Sequence, residues 1–188
     1  MSNKNLQTLK IIFLGDKSVG KTTFITNYTT STNQQPSSKK NKDKDSVEFN
    51  YQLPDTTTSF KIKIKQFSEK NDKLIDHINK SDCVIIIFEM TSRKSFENLF
   101  NYWLIFLRDT CHYKGEVIVF GNHINKKEEL RVDEAEIKEL LDICGLNCSF
   151  FDIGKNEIED NNKLIDNFIK TAYNKSKASS SKKDCVTF

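Results

Sequence analysis

Short apolar runs alternate with segments of helical periodicity along most of the chain. Four mostly apolar runs predict strands buried in a sheet, because parallel strands covered on both faces are apolar nearly throughout: residues 9–14, 83–88, 117–120 and 149–153. Four segments carry apolar residues at helical spacing and predict helices that pack on the sheet: residues 21–28, 95–108, 132–144 and 162–173. Trp103 lies on the apolar side of the second of these helices and is expected in the core.

Two further segments, 47–53 and 59–67, alternate between apolar and polar residues and flank the turn-forming Pro54-Asp55-Thr56. Such alternation is typical of strands with one solvated face, so the pair predicts an antiparallel hairpin. Residues 68–81 are a polar connection with helical character through Leu74, Ile75 and Ile78. The complete pattern predicts an α/β fold: a doubly wound, mostly parallel six-stranded sheet with one antiparallel edge strand.

Two polar stretches interrupt this pattern. Residues 29–46 offer almost nothing to bury and are expected to form a mobile loop. The lysine run within it, 39–44, is read either as solvated loop or as attraction to acidic lipid or an acidic partner. From residue 175 the chain is Ser and Lys without apolar content until its last few residues, and we expect a disordered tail.

Composition narrows the class of protein. The chain of 188 residues suits one domain, and 37% hydrophobic with 29% charged residues indicate a soluble globular protein. The net charge of +3 is too small to argue for nucleic acid. We expect neither a signal peptide nor a transmembrane helix. Five cysteines show no zinc spacing, and Cys144 and Cys148 are read as small buried thiols.

A phosphate-binding motif follows the first predicted strand. The G-x-x-x-x-G-K-[ST] pattern is complete, and the buried strand before it and the helix after it provide the context that a P-loop NTPase requires. The loop's N–H groups and the helix N-terminus make a phosphate cradle, Lys21 supplies a cation, and the Thr22 hydroxyl supplies a ligand for Mg²⁺. A glycine turn that binds nothing is the alternative, which pattern and position disfavour. The motif comprises Gly15, Asp16, Lys17, Ser18, Val19, Gly20, Lys21 and Thr22.

Three stretches together resemble the Ras superfamily of small GTPases: the phosphate loop, Ser95-Phe96-Glu97-Asn98 followed by Trp103, and Gly121-Asn122. The resemblance covers almost the whole chain. It implies a Ras-like domain over residues 1–174, with 29–46 as a polar first-switch insertion and 175–188 as the tail. It also implies a lipid-anchored GTP/GDP switch with Mg²⁺, slow hydrolysis and two segments that read the γ-phosphate.

The two switch segments follow the family unequally. In the first, Ser46-Val47-Glu48 corresponds to the family's Thr-Ile-Glu, so Ser46 is expected as a second Mg²⁺ ligand. In the second, residues 68–72 stand where the family has Asp-Thr-Ala-Gly-Gln, and they contain neither glycine nor glutamine. Glu69 or Asp72 could replace the negative charge of the missing aspartate, but neither replaces the glycine or the glutamine. Hydrolysis is therefore expected to be weak, and no catalytic residue is assigned.

Base recognition is also altered. Asn122-His123-Ile124-Asn125 replaces the family's Asn-Lys-x-Asp, and the Asn125 amide presents a donor where guanine needs an acceptor. Losing a charged acceptor costs about 1.5–3 kcal/mol, so guanine is expected to bind more weakly. In the last loop Gly154 offers its N–H to the base and Lys155 its stem. The expected base-contacting residues are Asn122, His123, Asn125, Gly154 and Lys155.

Two further positions carry expectations from the resemblance. Lys17 lies where many Ras proteins have glycine, and it either crowds an activating protein's arginine or points to solvent. The chain ends in Cys185-Val186-Thr187-Phe188, a C-a-a-X sequence that predicts geranylgeranylation of Cys185. The lysines of the tail add attraction to an anionic leaflet, so we expect the cytoplasmic face of the plasma membrane or an endomembrane.

Three functions stay open from the sequence. The first is a membrane-anchored GTP-binding signalling protein, with regulatory and effector proteins unidentified. The second is a non-hydrolysing pseudo-GTPase that works as an interaction module. The third, a small P-loop kinase, needs several arginines at the transferred phosphate. The arginines here are Arg93, Arg108 and Arg131, none of them near the phosphate loop in sequence.

Overall fold

The computed structural model describes residues 7–32, 45–53, 56, 58–124, 129, 132–154 and 158–183. The strands are β1 Thr8–Leu14, β2 Ser46–Gln52, β3 Ser59–Phe67, β4 Cys83–Glu89, β5 Val117–Asn122 and β6 Cys148–Asp152. Four of the helices are α1 Lys21–Ser31, α2 Asp72–Asn79, α4 Glu134–Ile143 and α5 Ile158–Lys183. Helix α3 begins as Arg93–Asn98 and continues in wide π-helical turns, Leu99–Leu104 and Phe106–Thr110.

The strands form one six-stranded sheet in the order β2-β3-β1-β4-β5-β6. Strand β1 lies between β3 and β4, parallel to both, and Ile11 pairs with Ile64 on one side and Cys83 on the other. The pair β2–β3 is antiparallel, while β4–β5 and β5–β6 are parallel. This arrangement confirms the predicted α/β fold, with the hairpin at the antiparallel edge.

The core has two layers, one on each face of the sheet. Alternate residues of β1 and β4 enter opposite layers, because successive side chains of a strand point to opposite faces. Val84 and Ile86 pack in the layer that contains Trp103 of α3, whereas Ile85 and Ile87 pack with α1 and α5 in the other layer. Every residue of β4 is buried, which explains the unbroken apolar sequence from Cys83 to Phe88.

Helix α5 is joined to α1 and β2 through one carboxylate. The hydroxyls of Tyr28 and Tyr51 both donate to Oδ1 of Asp166, at 2.7 and 2.8 Å. Each tyrosine side chain is almost fully buried, with an exposed fraction of 3%. Burial is the main cause that raises the pKa of each phenol, and the bond to Asp166 adds to it. The Asp166 carboxyl group therefore connects α5 to both the helix α1 and the strand β2.

Helix α5 corrects the prediction for the end of the chain. The sequence predicted a helix ending at Tyr173 and disorder from residue 175, but the backbone is helical to Lys183. Extending an existing helix costs far less than nucleating one, and residues 174–183 contain neither glycine nor proline. Cys185 lies outside the described residues. Within the ranges given above, none of the helices is apolar over the length that crossing a bilayer needs.

The polar insertion is shorter in the structure than in the prediction. Helix α1 includes Thr29 and continues to Ser31, while Ser46 is the first residue of β2. The lysine run 39–44 lies outside the described residues. The helical character predicted after the hairpin is confirmed as α2, which buries Leu74 and Ile78 against the sheet.

Candidate functional site

The loop after β1 has a backbone that depends on glycine. Gly15 has φ +141°, and a Cβ there would lie 2.1 Å from the carbonyl oxygen of Ile87 on β4. Gly20 has φ +96°, in the left-handed region that side chains disfavour. Ser18 adopts a positive φ of 65° without being glycine. The loop therefore turns tightly at the carboxyl edge of the sheet.

The N-terminus of α1 opens directly from this loop. Gly20 occupies the cap position, no side chain caps it, and the first turn holds no acidic residue. The first N–H groups of a helix have no partner within the helix, and they carry the positive end of its dipole. Lys21, Thr22 and Thr23 at this end line a cavity of about 950 Å³. This end of the helix suits an anion such as phosphate.

Lys21 is the buried cation of the site. Only 5% of its surface is exposed. Its ammonium donates to the carbonyl oxygens of Gly15 at 2.8 Å and Asp16 at 2.6 Å. Burial lowers the pKa of Lys21 to about 8, although the carboxylates of Asp16 and Asp45 partly offset that effect. The positive charge is thus held over the loop, where a phosphate oxygen would meet it.

Asp16 connects the loop to helix α3. Its two carboxylate oxygens accept hydrogen bonds from Asn98 Nδ2 at 2.6 Å and Trp103 Nε1 at 3.1 Å. Residues five apart diverge by about 140° on an α-helix, which turns about 100° per residue. The π-helical turns join residues i and i+5 and so bring the two donors to the same side. Trp103 is confirmed as a core residue, and it also fixes the phosphate loop.

The cavity contains a cluster of oxygen atoms beside Thr22. The Thr22 hydroxyl donates to Oε1 of Gln66 on β3 at 2.9 Å, and Asp45 also lines the cavity. Ser46, the predicted second metal ligand, is buried, its hydroxyl has no hydrogen-bond partner among the described residues, and it is not among the lining residues. The sequence alone did not identify Gln66. The signal was its position on β3, where it pairs with Phe13 just before the loop.

The segment between β3 and α2 is held by contacts to its neighbours. Glu69 forms an ion pair with Lys17 of the phosphate loop. The hydrogen bond and the opposite charge raise the pKa of Lys17 and lower that of Glu69. Both side chains are largely exposed, at 75% and 68%, so this pair contributes little stability. Of the two expectations for Lys17, the structure therefore gives an exposed lysine that reaches across to the next segment.

Lys70 is turned towards helix α3. Its backbone N–H donates to the Tyr102 hydroxyl at 3.1 Å. Its ammonium lies 3.7 Å from the centre of the Tyr102 ring and 4.9 Å from that of Phe106. Burial lowers the pKa of Lys70. Asn71 then caps α2 by accepting the N–H of Leu74 at 2.9 Å. These contacts turn the Lys70 side chain onto α3, and Lys70 is not among the residues that line the cavity.

Asn122, at the end of β5, reaches the phosphate loop. Its Nδ2 donates to the Val19 carbonyl at 3.0 Å, and its Oδ1 accepts the N–H of His123 at 2.9 Å. The next residue, Ile124, donates its N–H to the buried carboxylate of Glu89 at 3.0 Å. Glu89 was not predicted as a site residue. Glu89, at the end of β4, fixes the backbone of the loop that follows β5 through this hydrogen bond.

His123 packs against the loop after β6. A Cβ at Gly154 would lie 2.3 Å from the imidazole Cγ, so the ring occupies the space of a side chain. His123 Nε2 lies 3.3 Å from Asp152 Oδ1, with both side chains mostly buried. Gly154 itself donates to Asp152 Oδ1 at 3.1 Å. The structure thus brings Asn122, His123 and Gly154 together, while Asn125 and Lys155 lie outside the described residues.

Comparison with known proteins gives one family and several relatives. The model of the Ras family matches residues 10–174. The chain is 24% identical over 183 residues to Ras-related protein Rab-7a of Paramecium octaurelia, covering 94% of this chain and 87% of that protein. It is 26% identical over 149 residues to Ras-related protein Rab-27B of Homo sapiens, covering 73% of this chain and 68% of that protein.

Proposed function

The chain belongs to the Ras family of small GTPases, which are GTP-binding switches, and from this premise we propose a membrane-anchored signalling protein that hydrolyses GTP only weakly. The observation that supports it most is the phosphate loop. An uncapped helix N-terminus and the buried Lys21 ammonium face one cavity of nucleotide size. Gly15 has the backbone that this loop demands.

The phosphates would bind to the loop's N–H groups and to Lys21, and the base would bind beside the ends of β5 and β6. Asn122 and His123 line the cavity there, and Gly154 packs directly behind His123. Asn125 and Lys155 complete the proposed base-contacting set. Because an amide at Asn125 replaces a charged acceptor, GTP should bind about tenfold to a hundredfold more weakly than it does to an aspartate at that position.

Mg²⁺ fits the oxygen atoms beside Thr22. This ion prefers oxygen ligands and is usually bound by one or two carboxylates together with substrate phosphates. The Thr22 hydroxyl and the Gln66 amide oxygen are 2.9 Å apart, and the Asp45 carboxyl group belongs to a residue that lines the same cavity. When bound, the ion neutralises charge on the β- and γ-phosphates.

Weak hydrolysis rests on the segment between β3 and α2. A small GTPase needs a side chain that orients the attacking water, and residues 68–72 contain no glutamine. The Lys70 ammonium packs on the rings of Tyr102 and Phe106, and the Glu69 carboxylate forms an ion pair with Lys17. The same contacts favour the second candidate, a non-hydrolysing interaction module whose surface is independent of the γ-phosphate.

The two arginines that the structure describes do not support a P-loop kinase. Arg93 is paired with Glu97 and Glu136, and Arg108 with Asp109, and neither lines the cavity. Arg131 lies outside the described residues. Without a guanidinium at the transferred phosphate, a kinase lacks its main source of charge stabilisation.

Membrane attachment is proposed through a geranylgeranyl group on Cys185. The C-a-a-X sequence supports it, as do the lysines that precede it, each worth about 1 kcal/mol against an anionic leaflet. One lipid chain alone gives reversible binding, and the basic residues provide the second signal. The protein would then act at the cytoplasmic face of a cellular membrane.

The proposal is tested by releasing nucleotide from the purified protein and by titrating fluorescent GDP, GTP and ATP. We expect guanine nucleotide to bind with preference over ATP, and Asn125→Asp to tighten GTP binding. Finding no guanine nucleotide under any loading condition would overturn the proposal. Single-turnover hydrolysis then separates the candidates, since a rate typical of small GTPases would exclude the interaction module.

A further inference from the structure

We propose that the carboxylate of Asp45 is the charged protein ligand of the divalent cation in this site, where Thr22 is the neutral ligand and Gln66 accepts the hydrogen bond of the Thr22 hydroxyl. The inference rests on the proposed nucleotide function. It assigns the metal contact of the first switch to the residue before Ser46, and it names a residue of β3 that orients Thr22.

The backbone places Asp45 beside Gln66. The Asp45 carbonyl accepts the N–H of Gln66 at 3.0 Å, which extends the β2–β3 ladder by one bond beyond the pair Ser46 and Lys65. Gln66 in turn accepts the Thr22 hydroxyl at 2.9 Å. Two hydrogen bonds therefore connect Asp45 to the first turn of α1. The residue is fixed at the metal side of the cavity, which it lines.

Ser46 has the opposite orientation. Its exposed fraction is 8%, and its hydroxyl is buried with no hydrogen-bond partner in the part of the chain that the structure describes, whereas Asp45 is exposed. Successive side chains at the start of a strand point to opposite faces. A serine hydroxyl directed into the protein leaves the neighbouring aspartate as the residue that faces the cavity.

The electrostatics of the cavity agree with this position. Asp45 and Lys21 line the same cavity, in which the Lys21 ammonium is proposed to contact the outer phosphates. A cation between those phosphates and Asp45 would meet negative charge on both sides.

The choice of ligand follows from the chemistry of Mg²⁺. In the described parts of the chain there is no group of three or more His, Cys, Asp or Glu side chains that would hold a metal ion without the nucleotide. The cation must then share its coordination with phosphate oxygens and water, for which one carboxylate suffices. The Gln66 amide is neutral, so it accepts a hydrogen bond from the Thr22 hydroxyl but adds no negative charge. Asp45 supplies the charge.

The experiment measures the dissociation rate of a fluorescent guanine nucleotide while free Mg²⁺ is varied. For Asp45→Asn we expect the Mg²⁺ concentration of half-maximal stabilisation to rise by at least about tenfold. Dissociation in EDTA should be no faster than in the wild type, because only the metal contact is lost. Electron paramagnetic resonance of Mn²⁺ bound with nucleotide gives a second readout, in which Asp45→Asn should weaken Mn²⁺ binding to the same extent.

Matched variants separate this role from others. Glu48→Gln removes a carboxylate on the same strand that pairs with Lys63 away from the cavity, and it should leave the Mg²⁺ dependence unchanged. Gln66→Glu should lower the half-maximal concentration. An unchanged Mg²⁺ dependence in Asp45→Asn, or a shift in Ser46→Ala instead, would overturn the assignment. A wild-type protein that binds no guanine nucleotide fails differently, because it refutes the proposed function itself.

Discussion

Lys21 connects nucleotide binding to pH. In the protein alone burial lowers its pKa to about 8, whereas bound phosphate favours the charged ammonium and raises that value again. Above pH 8 binding must therefore take up a proton, and the affinity falls as the pH rises. The free energy of unfolding depends on pH in the opposite direction. The folded protein holds this proton less tightly than the unfolded chain does, so this group's contribution to the unfolding free energy increases above pH 8.

We predict proton uptake when a guanine nucleotide binds at pH 8.5, and much less at pH 6.5. Calorimetry in two buffers of different ionisation enthalpy measures the number of protons. Lys21→Arg is the matched variant, since arginine stays charged throughout this range, and it should remove the pH-dependent part. Equal uptake by wild type and Lys21→Arg at pH 8.5 would contradict the prediction.

The residues of the candidate site divide by how their contacts arise. The phosphate loop could be predicted, because local sequence sets the backbone angles at Gly15 and the start of α1 at Lys21. Gln66 and Asp45 could not, since they reach Thr22 through strand register and through a backbone bond between β2 and β3. Contacts of that kind depend on pairing between distant segments, which leaves no local pattern.

At the scale of elements, α3 was the least predictable. Its apolar spacing correctly indicated a helix on the sheet, but not the widened turns after Asn98. Those turns bring two donors five residues apart to Asp16, a contact between distant segments that leaves no local pattern. The end of α5 was missed for another reason. The prediction relied on buried apolar positions, whereas residues 174–183 continue a helix that already exists.

We predict that Asp16→Asn loosens the phosphate loop with little change in shape. An amide offers one acceptor where Asn98 and Trp103 need two, so one donor is left unpaired at a cost of about 1–3 kcal/mol. Urea denaturation should show this loss, and hydrogen exchange should increase at residues 15–20. Asp109→Asn is the control, because that carboxylate is exposed and accepts hydrogen bonds from the neighbouring Arg108, away from the phosphate loop. Equal effects of the two variants would refute a special role for Asp16.

At the scale of the whole molecule, the contacts of α5 with α1 and β2 contribute to stability. We predict that Asp166→Ala lowers the unfolding free energy by about 1–3 kcal/mol, because it removes the acceptor that both buried tyrosine hydroxyls share and leaves them only each other. The same substitution in a Tyr28→Phe/Tyr51→Phe background should cost much less. Chemical denaturation of the four proteins completes the cycle. An equal cost in both backgrounds would show that the hydroxyls do not depend on Asp166.

The fold as a whole was the most predictable level. Alternating strands and helices with buried runs allow few topologies, and the hairpin could only extend an edge. What the sequence did not predict is how firmly the segment after β3 is held. The contacts that hold it come from Tyr102 and Phe106 on α3.

We predict that amide hydrogen exchange over residues 68–79 is the same with GDP as with a non-hydrolysable GTP analogue. The Tyr102 hydroxyl and the Asn71 cap hold this segment through contacts within the protein. Tyr102→Phe should increase exchange there with either nucleotide. Strong protection that appears only with the GTP analogue would show a conventional second switch.

The packing of His123 on Gly154 has a consequence for how the sequence can diverge. Any side chain at position 154 would collide with the imidazole, so the two positions must change together. Descendants of this protein that acquire alanine at 154 need a ring that has moved or a smaller residue at 123. In an alignment of close orthologues, a bulky residue at 123 should therefore coincide with glycine at 154. That covariation would record the contact in evolutionary history.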